Sequence, residues 1–418
     1  MKDFSPKIFE AATEVTTELL LFKQPSDAIL SSFFRKNKWL GKRERPLVAD
    51  LAYEVIRNKL YLEKSTSSSD PGILCLAALT KLLGISSSVL KNIVPFKYRA
   101  NLAELTQQAA PRLACHERYS LPAWLWQKIE MKYGVKETSD IARSLLQKAP
   151  FDLRVNTMIC DRDAALERFK KDEICAQKTS LSSTGLRIST NFGIQKHDLF
   201  QNGSIEIQDQ GSQLLAELTD VKRGQMVVDF CAGAGGKTLA LGALMRNSGR
   251  LYAFDVSQKR IERFKPRLKR SGLSNVYPQT IGSENDPRIK RLYGKIDRVL
   301  VDAPCTGTGT LRRNPDIKWR QDEEGIHALA HKQYEILVAA SRLAKKHGRV
   351  IYATCSLLHD ENEAVTEKFI ENNNNFRLLN FSEVTSVEKP FKNTGPYFRV
   401  LPHTDDCDGF FAAIFERT

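Results

Sequence analysis

The 418-residue chain is expected to fold as three regions in series: an all-helical N-terminal region, a small α+β segment, and a doubly wound α/β domain built on a mainly parallel sheet. Three observations lead there. Four short apolar runs, at 226–229, 250–255, 298–302 and 349–354, have the length of buried strands, and helical spacing follows the first, second and fourth. The first run ends in Asp229 and opens a glycine-rich turn, the way α/β proteins build a nucleotide pocket at the carboxyl end of a strand. Before residue 150 the apolar residues recur at helical spacing and no alternating run appears.

The N-terminal region justifies its helices piecewise. Ala49, Leu51, Ala52, Val55 and Ile56 are interleaved with Arg45, Asp50, Glu54 and Arg57, the pattern of an amphipathic helix. Residues 63–72 (EKSTSSSDPG) read as a polar loop. Helical signals resume at 72–83 and 87–93, and Pro122 stands near the first turn of a helix opened by Leu121. No catalytic constellation occurs in this region, so a docking or structural role is expected of it. From Pro150 the pattern changes: 151–156 alternates at period two, 161–171 reads as a helix, and 185–188 and 203–208 read as further strands.

Composition bounds the function. Lys and Arg number 63 against 49 Asp and Glu, a net charge of +14, which suits a polyanion partner such as RNA. Residues 1–6 carry no signal-peptide apolar core, and the longest apolar segment, 72–85, contains Lys81 and is too short to span a bilayer. Eight widely spread cysteines with no C-x-x-C pair point away from zinc and from a disulfide framework. His327 and His331 are four apart, but no glutamate follows His327, so no metal site is expected. The expectation is a cytoplasmic monomer with free thiols and no membrane attachment.

The glycine turn itself, Cys231-Ala232-Gly233-Ala234-Gly235-Gly236-Lys237-Thr238, leaves the ligand open. A P-loop would need glycine where Cys231 stands, but Gly236-Lys237-Thr238 fits one, and the run ending in Asp302 would serve as its magnesium strand. Asp255, twenty-six residues after Asp229, suits a ribose contact in either NAD or S-adenosylmethionine. Helix 258–270 carries seven Lys or Arg, which would suit phosphates or simply solvent, and Pro266 is expected to interrupt it.

Two cysteines decide between these ligands. Cys305 follows Asp302-Ala303-Pro304 and Cys355 follows Thr354, each just beyond a strand on the edge where ligands bind. A thiolate adding to carbon 6 of cytosine turns carbon 5 into a nucleophile that can accept a methyl group, and it leaves again by elimination. A carboxyl at Asp302 could hydrogen-bond the ring and stabilise the adduct. Arg312, Arg313, Lys318 and Trp319, just downstream, suit a phosphate grip with a stacking platform for unpaired RNA.

Residues 229–239 (DFCAGAGGKTL), 302–315 (DAPCTGTGTLRRNP) and Thr354-Cys355-Ser356 resemble the motifs of the Sun/Fmu (RsmB-like) family of RNA cytosine-5 methyltransferases. Residues 43–57 (RERPLVADLAYEVIR) are similar, less strongly, to the NusB-like extension of the bacterial members that methylate small-subunit ribosomal RNA. The resemblance implies a Rossmann-like S-adenosylmethionine-dependent methyltransferase domain at 219–418, a small α+β (RRM-like) subdomain at 141–218, and a helical NusB-like region for RNA or partner docking at 1–140. It implies Cys355 as nucleophile, Cys305 as an aid to adduct breakdown, and Cys231 to Lys237 around the methionine and adenosine of the donor. It further implies Asp255 on the ribose and Asp302 facing donor or base. The family's acid near the adenine has no clear counterpart in 280–286 (TIGSEND). The alternatives are a P-loop nucleotide hydrolase, a 5-methylcytosine transferase acting on tRNA or another RNA, and an RNA-binding protein with a relic fold.

Overall fold

The computed structural model describes residues 4–107, 111–190, 192–384 and 395–418. Residues 1–3 and 108–110, where the sequence reading extends the N-terminal stretch and the helical region, lie outside them. The chain divides into two compact units, Met1–Lys148 with Leu311–Glu323, and Ala149–Thr310 with Glu324–Thr418. The boundary expected at residue 140 falls inside a helix, Ala123–Leu145, which is broken at Gly134 (φ 73°).

The helical unit follows from local signals. Helix α1 (Pro6–Leu19) starts at Ser5, whose hydroxyl accepts from the Ile8 amide, with proline in its first turn. Its Ile8, Phe9, Ala12, Val15 and Leu19 share one buried face. Helix α2 (Glu44–Arg57) buries Val48, Leu51, Ala52, Val55 and Ile56. Arg57, counted on its polar face, is buried as well, and its guanidinium donates to the carbonyls of Gln147 and Arg312. Helix α3 (Lys59–Thr66) occupies much of the stretch expected as a polar loop. A Lys59–Glu63 ion pair one turn apart (2.8 Å) supports it, and it ends at Ser67 in the left-handed region (φ 49°). Asp70 then caps helix α4 (Pro71–Ala77), which continues as a π-helical turn through Leu82.

The second unit holds two sheets. Strands β1 (Phe151–Val155), β2 (Ala176–Lys178), β3 (Gly185–Ile188) and β4 (Ile205–Ile207) form an antiparallel sheet ordered β2-β3-β1-β4. Helix α5 (Arg162–Lys171), capped by Asp161, packs Ala165 and Phe169 into its core.

The large sheet runs β10-β12-β9-β8-β5-β6-β7 with β11 on β12. Its parallel centre is β5 (Met226–Asp229), β6 (Arg250–Asp255), β7 (Val276–Thr280), β8 (Ile296–Asp302) and β9 (Ala344–Thr354). Antiparallel β10 (Phe376–Leu379), β11 (Phe398–Val400) and β12 (Phe410–Arg417) complete it. From β5 the chain steps outward through β6 to β7, then returns to β8 on the other side of β5. That reversal between β5 and β8 is a topological switch point, where the crevice beyond the strand ends accepts ligands. Helices α6 (Gly236–Leu244), α7 (Gln258–Ser271), α8 (Glu323–Ser341) and α9 (Glu363–Asn372) accompany the sheet. Helix α7 runs through Pro266 without interruption, because the proline sits on the exposed face, where water can reach the carbonyl it leaves unbonded. Among the described residues no helix is long and apolar enough to cross a membrane.

Candidate active site

The switch point gathers the glycine turn after β5, the acid ending β6, and the two cysteine loops after β8 and β9. Asp229 is buried at the end of β5; its Oδ2 accepts from the Thr238 hydroxyl (2.6 Å) and its Oδ1 has no hydrogen-bond partner among the described residues. Burial pushes its carboxyl up to about 7. Gly233 (φ 57°) and Gly235 (φ 82°) make the turn in the left-handed region. A Cβ at Gly235 would lie 2.0 Å from the Phe264 ring, whereas one at Gly233 would meet nothing within 4 Å. The Ala234 carbonyl accepts from Arg267 (2.6 Å), and Ala232 bonds through its amide to the Phe254 carbonyl on β6. Asp255 is fixed by backbone amides, its Oδ2 accepting from Gly233 (2.8 Å) and its Oδ1 from Ser257 (2.7 Å). Cys231 is held well above the usual thiol range by burial and by Asp229, Asp302 and Asp255 around it.

Lys237 does not point at an open phosphate site. Its ammonium pairs with Asp302 at 2.7 Å and lies 5.6 Å from the Phe410 ring centre. Burial pulls its pKa down, but Asp302 and, more weakly, the charge at Cys355 outweigh this, so the lysine stays charged. With Lys237 committed to Asp302 and the Asp255 carboxylate beside the turn, a triphosphate is disfavoured here, which argues against the P-loop alternative. S-adenosylmethionine, the donor implied by the resemblance, fits these groups. It carries positive charge and a ribose diol, and the turn offers an unpartnered buried acceptor at Asp229, open space over Gly233, and an oriented carboxylate at Asp255.

The two cysteines meet. Strands β8 and β9 are parallel neighbours with Asp302 opposite Ala353, so both loops leave the sheet side by side. The Sγ atoms of Cys305 and Cys355 are 3.3 Å apart, both half-buried. Cys355 beside it, together with burial, holds Cys305 well above the usual thiol range, so Cys305 keeps its proton.

Beneath the thiols lies a hydrogen-bonded cluster that sequence reasoning missed. Glu361 is fully buried and accepts from the Thr306 amide (2.8 Å), the Thr306 and Ser356 hydroxyls and the Gln333 amide (2.9 Å). Its neighbour Asn362 bonds Thr354 and the Ser356 carbonyl (2.9 Å). The signal available was only Glu-Asn six residues past Cys355, ordinary polar residues at the start of a helix.

Of the four residues expected as an RNA grip, Arg312, Lys318 and Trp319 turn inward instead. Arg312, Arg313, Lys318 and Trp319 all belong to the segment Leu311–Glu323 of the helical unit. Lys318 is buried and donates to the Arg57 carbonyl (2.8 Å), and burial holds its ammonium well below the usual lysine range. Trp319 packs on the helical core and donates Nε1–H to the Ile56 carbonyl (3.0 Å). Arg312 is buried and donates to the Lys148 carbonyl, and Arg313 is half-buried. On α7, Arg267 and Arg270 pair with Glu206 of β4, while Lys259, Arg260, Arg263, Lys265 and Lys269 remain exposed.

Comparison with known proteins agrees with this architecture. The family described as "16S rRNA methyltransferase RsmB/F" matches residues 216–416, and its ferredoxin-like domain matches 121–195. The probable ribosomal RNA small subunit methyltransferase B of Synechocystis is 31% identical over 73% of this chain and 69% of its own. The corresponding Bacillus subtilis protein is 27% identical over 98% of both chains. Among solved structures, PH0851 superposes with a TM-score of 0.83 at 27% identity, covering 99% of each chain. The matched ranges take in strands β1 to β3 of the small sheet, the glycine turn and both cysteine loops, and the chain belongs to the RsmB/F (Sun/Fmu) family of RNA methyltransferases.

Proposed function

We propose that the protein methylates carbon 5 of a cytosine in RNA, most directly small-subunit ribosomal RNA, using S-adenosylmethionine. The observation that carries this reading is the pair of thiols 3.3 Å apart at the ends of adjacent strands, beside the Lys237–Asp302 pair. Cys355, next to the Lys237 ammonium, adds to carbon 6 of the base. Asp302, oriented by Lys237, accepts hydrogen bonds from the ring and stabilises the adduct. The bound donor supplies an activated methyl group to carbon 5. Once the carbon 5 proton has passed to water, the Cys355–carbon 6 bond breaks by elimination and the Cys355 thiolate is regenerated, with Cys305 assisting this breakdown of the adduct. Asp229 and Asp255 hold the donor, and the residue contacting its adenine is not assigned among 280–286. The target base must leave its stack to reach the thiols. The names of the relatives support ribosomal RNA as the substrate.

Bisulfite sequencing of total RNA from cells with and without the gene tests this directly. A cytosine in small-subunit ribosomal RNA that loses protection in the deletion strain is expected. Loss of protection in tRNA alone would reassign the substrate, and no change at any RNA cytosine would sink the cytosine-5 chemistry.

A further inference from the structure

We infer that Glu361 is a positioning residue that locks the two cysteine loops together and sets the two thiols apart by gripping the Cys305 loop more fully than the Cys355 loop. The inference rests on the proposed cytosine-5 chemistry for its meaning and on the geometry of one carboxylate for its substance. Thr306 follows Cys305 and Ser356 follows Cys355, and both hydroxyls donate to the same oxygen, Oε2 of Glu361. Oε1 accepts from the Thr306 amide and from Gln333, whose Nε2 also donates to the carbonyl of Pro304, the residue before Cys305. Gln333 is oriented in turn by the Tyr352 hydroxyl on β9 (3.0 Å), which also donates to the Glu361 carbonyl (2.6 Å).

Four donor groups therefore converge on one side chain, which a carboxylate, with two acceptor oxygens, can satisfy together. Among the described residues its partners are N–H and O–H dipoles, with no lysine, arginine or histidine. A buried negative charge so placed has two effects. It fixes the separation of the loops, since neither Thr306 nor Ser356 can move without leaving a buried acceptor short of donors. It also disfavours a second negative charge nearby, and Glu361 contributes to the raised pKa of Cys305. The carboxylate holds the Cys305 loop through the Thr306 amide and hydroxyl and, by way of Gln333, the Pro304 carbonyl, but the Cys355 loop only through the Ser356 hydroxyl, so two similar loops on neighbouring strands are held unequally.

Glu361→Gln tests the inference, because the amide replaces one acceptor oxygen with a donor that must face two donors. The rates of iodoacetamide alkylation at Cys305 and Cys355 are measured by peptide mapping across pH, on the full chain without RNA or donor. The expected result is that the pH profile of Cys305 moves to lower pH by on the order of one unit and the Cys305:Cys355 reactivity ratio rises. Methyl transfer should fall by roughly a hundredfold in kcat, with S-adenosylmethionine binding retained. A Cys305 profile identical to wild type overturns the inference, even if the variant is less stable, since a purely structural role would lower the melting temperature without altering the two thiols unequally. Should Glu361→Gln fail to fold, Thr306→Val decides: it keeps the carboxylate and the backbone amide but removes one hydroxyl that screens the charge, so the reactivity ratio should fall modestly instead of rising. No change in that ratio overturns the inference. The alkylation readout needs no methyl transfer, so failure of the cytosine-5 reading would appear separately, as a wild-type protein that leaves RNA cytosines unmethylated.

Discussion

The two halves of the site are built in opposite ways. Around β5 and β6 the backbone does the shaping, and polar valence is left over: Asp229 has an unpartnered oxygen and Gly233 faces open space. Past β8 and β9 the side chains do the shaping, and Glu361, Asn362, Thr306 and Ser356 bond to one another. The first half is unfinished without a ligand, as a binding cradle has to be. The second presents two sulfur atoms held in register and little else. A reacting thiol needs an accurate position more than it needs complementarity, and rigid surroundings supply that.

Substitutions that strike one half alone would break or sharpen this contrast. Cys355→Ala should lower methyl transfer by roughly a thousandfold or more, as loss of a nucleophile does, while calorimetry shows donor binding unchanged. Full activity in that variant would remove Cys355 from its assigned role. Cys305→Ala should slow turnover by about a hundredfold and let a protein–RNA adduct accumulate, visible as a shifted band on a denaturing gel.

Gly235→Ala should affect the cradle half first. It places a Cβ against Phe264 in a left-handed backbone, and the cost is about 2–4 kcal/mol, read as a lower melting temperature together with weaker donor binding. The smallest effect is a pH slope. Asp229 has a folded pKa of about 7, above the ordinary 3.8, so the native state holds a proton that the unfolded chain has released between those values. Its stabilising contribution is therefore complete below pH 3.8 and is lost as pH rises to about 7. Unfolding without donor should show up to ~1.4 kcal/mol of lost stability per pH unit in that window, and Asp229→Asn should flatten the slope.

The legibility of the sequence divides along the same line. The cradle could be read because glycine turns and strand-end acids are local, and β5, β6, β8 and β9 stand where their apolar runs lie. The cysteines could be read because an unusual residue type occurs at two corresponding strand ends. Glu361 could not, since its partners Thr306 and Gln333 are distant in sequence and none is unusual in type. Strand β7 was hidden by Pro278, which the sheet tolerates because β7 lies at its edge. Strand β12 was hidden by lack of alternation, because both of its faces are buried. The basic segment after Cys305 misled for a plain reason: Trp319 and Lys318 satisfy backbone carbonyls inside the helical unit, so their charge and aromaticity say nothing of RNA.

That segment has one more consequence. The helical unit is assembled from two separate stretches of chain, and the second, Leu311–Glu323, begins six residues after Cys305. No single cut can therefore release the helical unit whole. A fragment ending at residue 148 lacks the indole and ammonium that fill its own interior, and a fragment starting at 149 carries them with no interior to fill. The N-terminal region therefore cannot be exchanged for another by recombination at a single boundary.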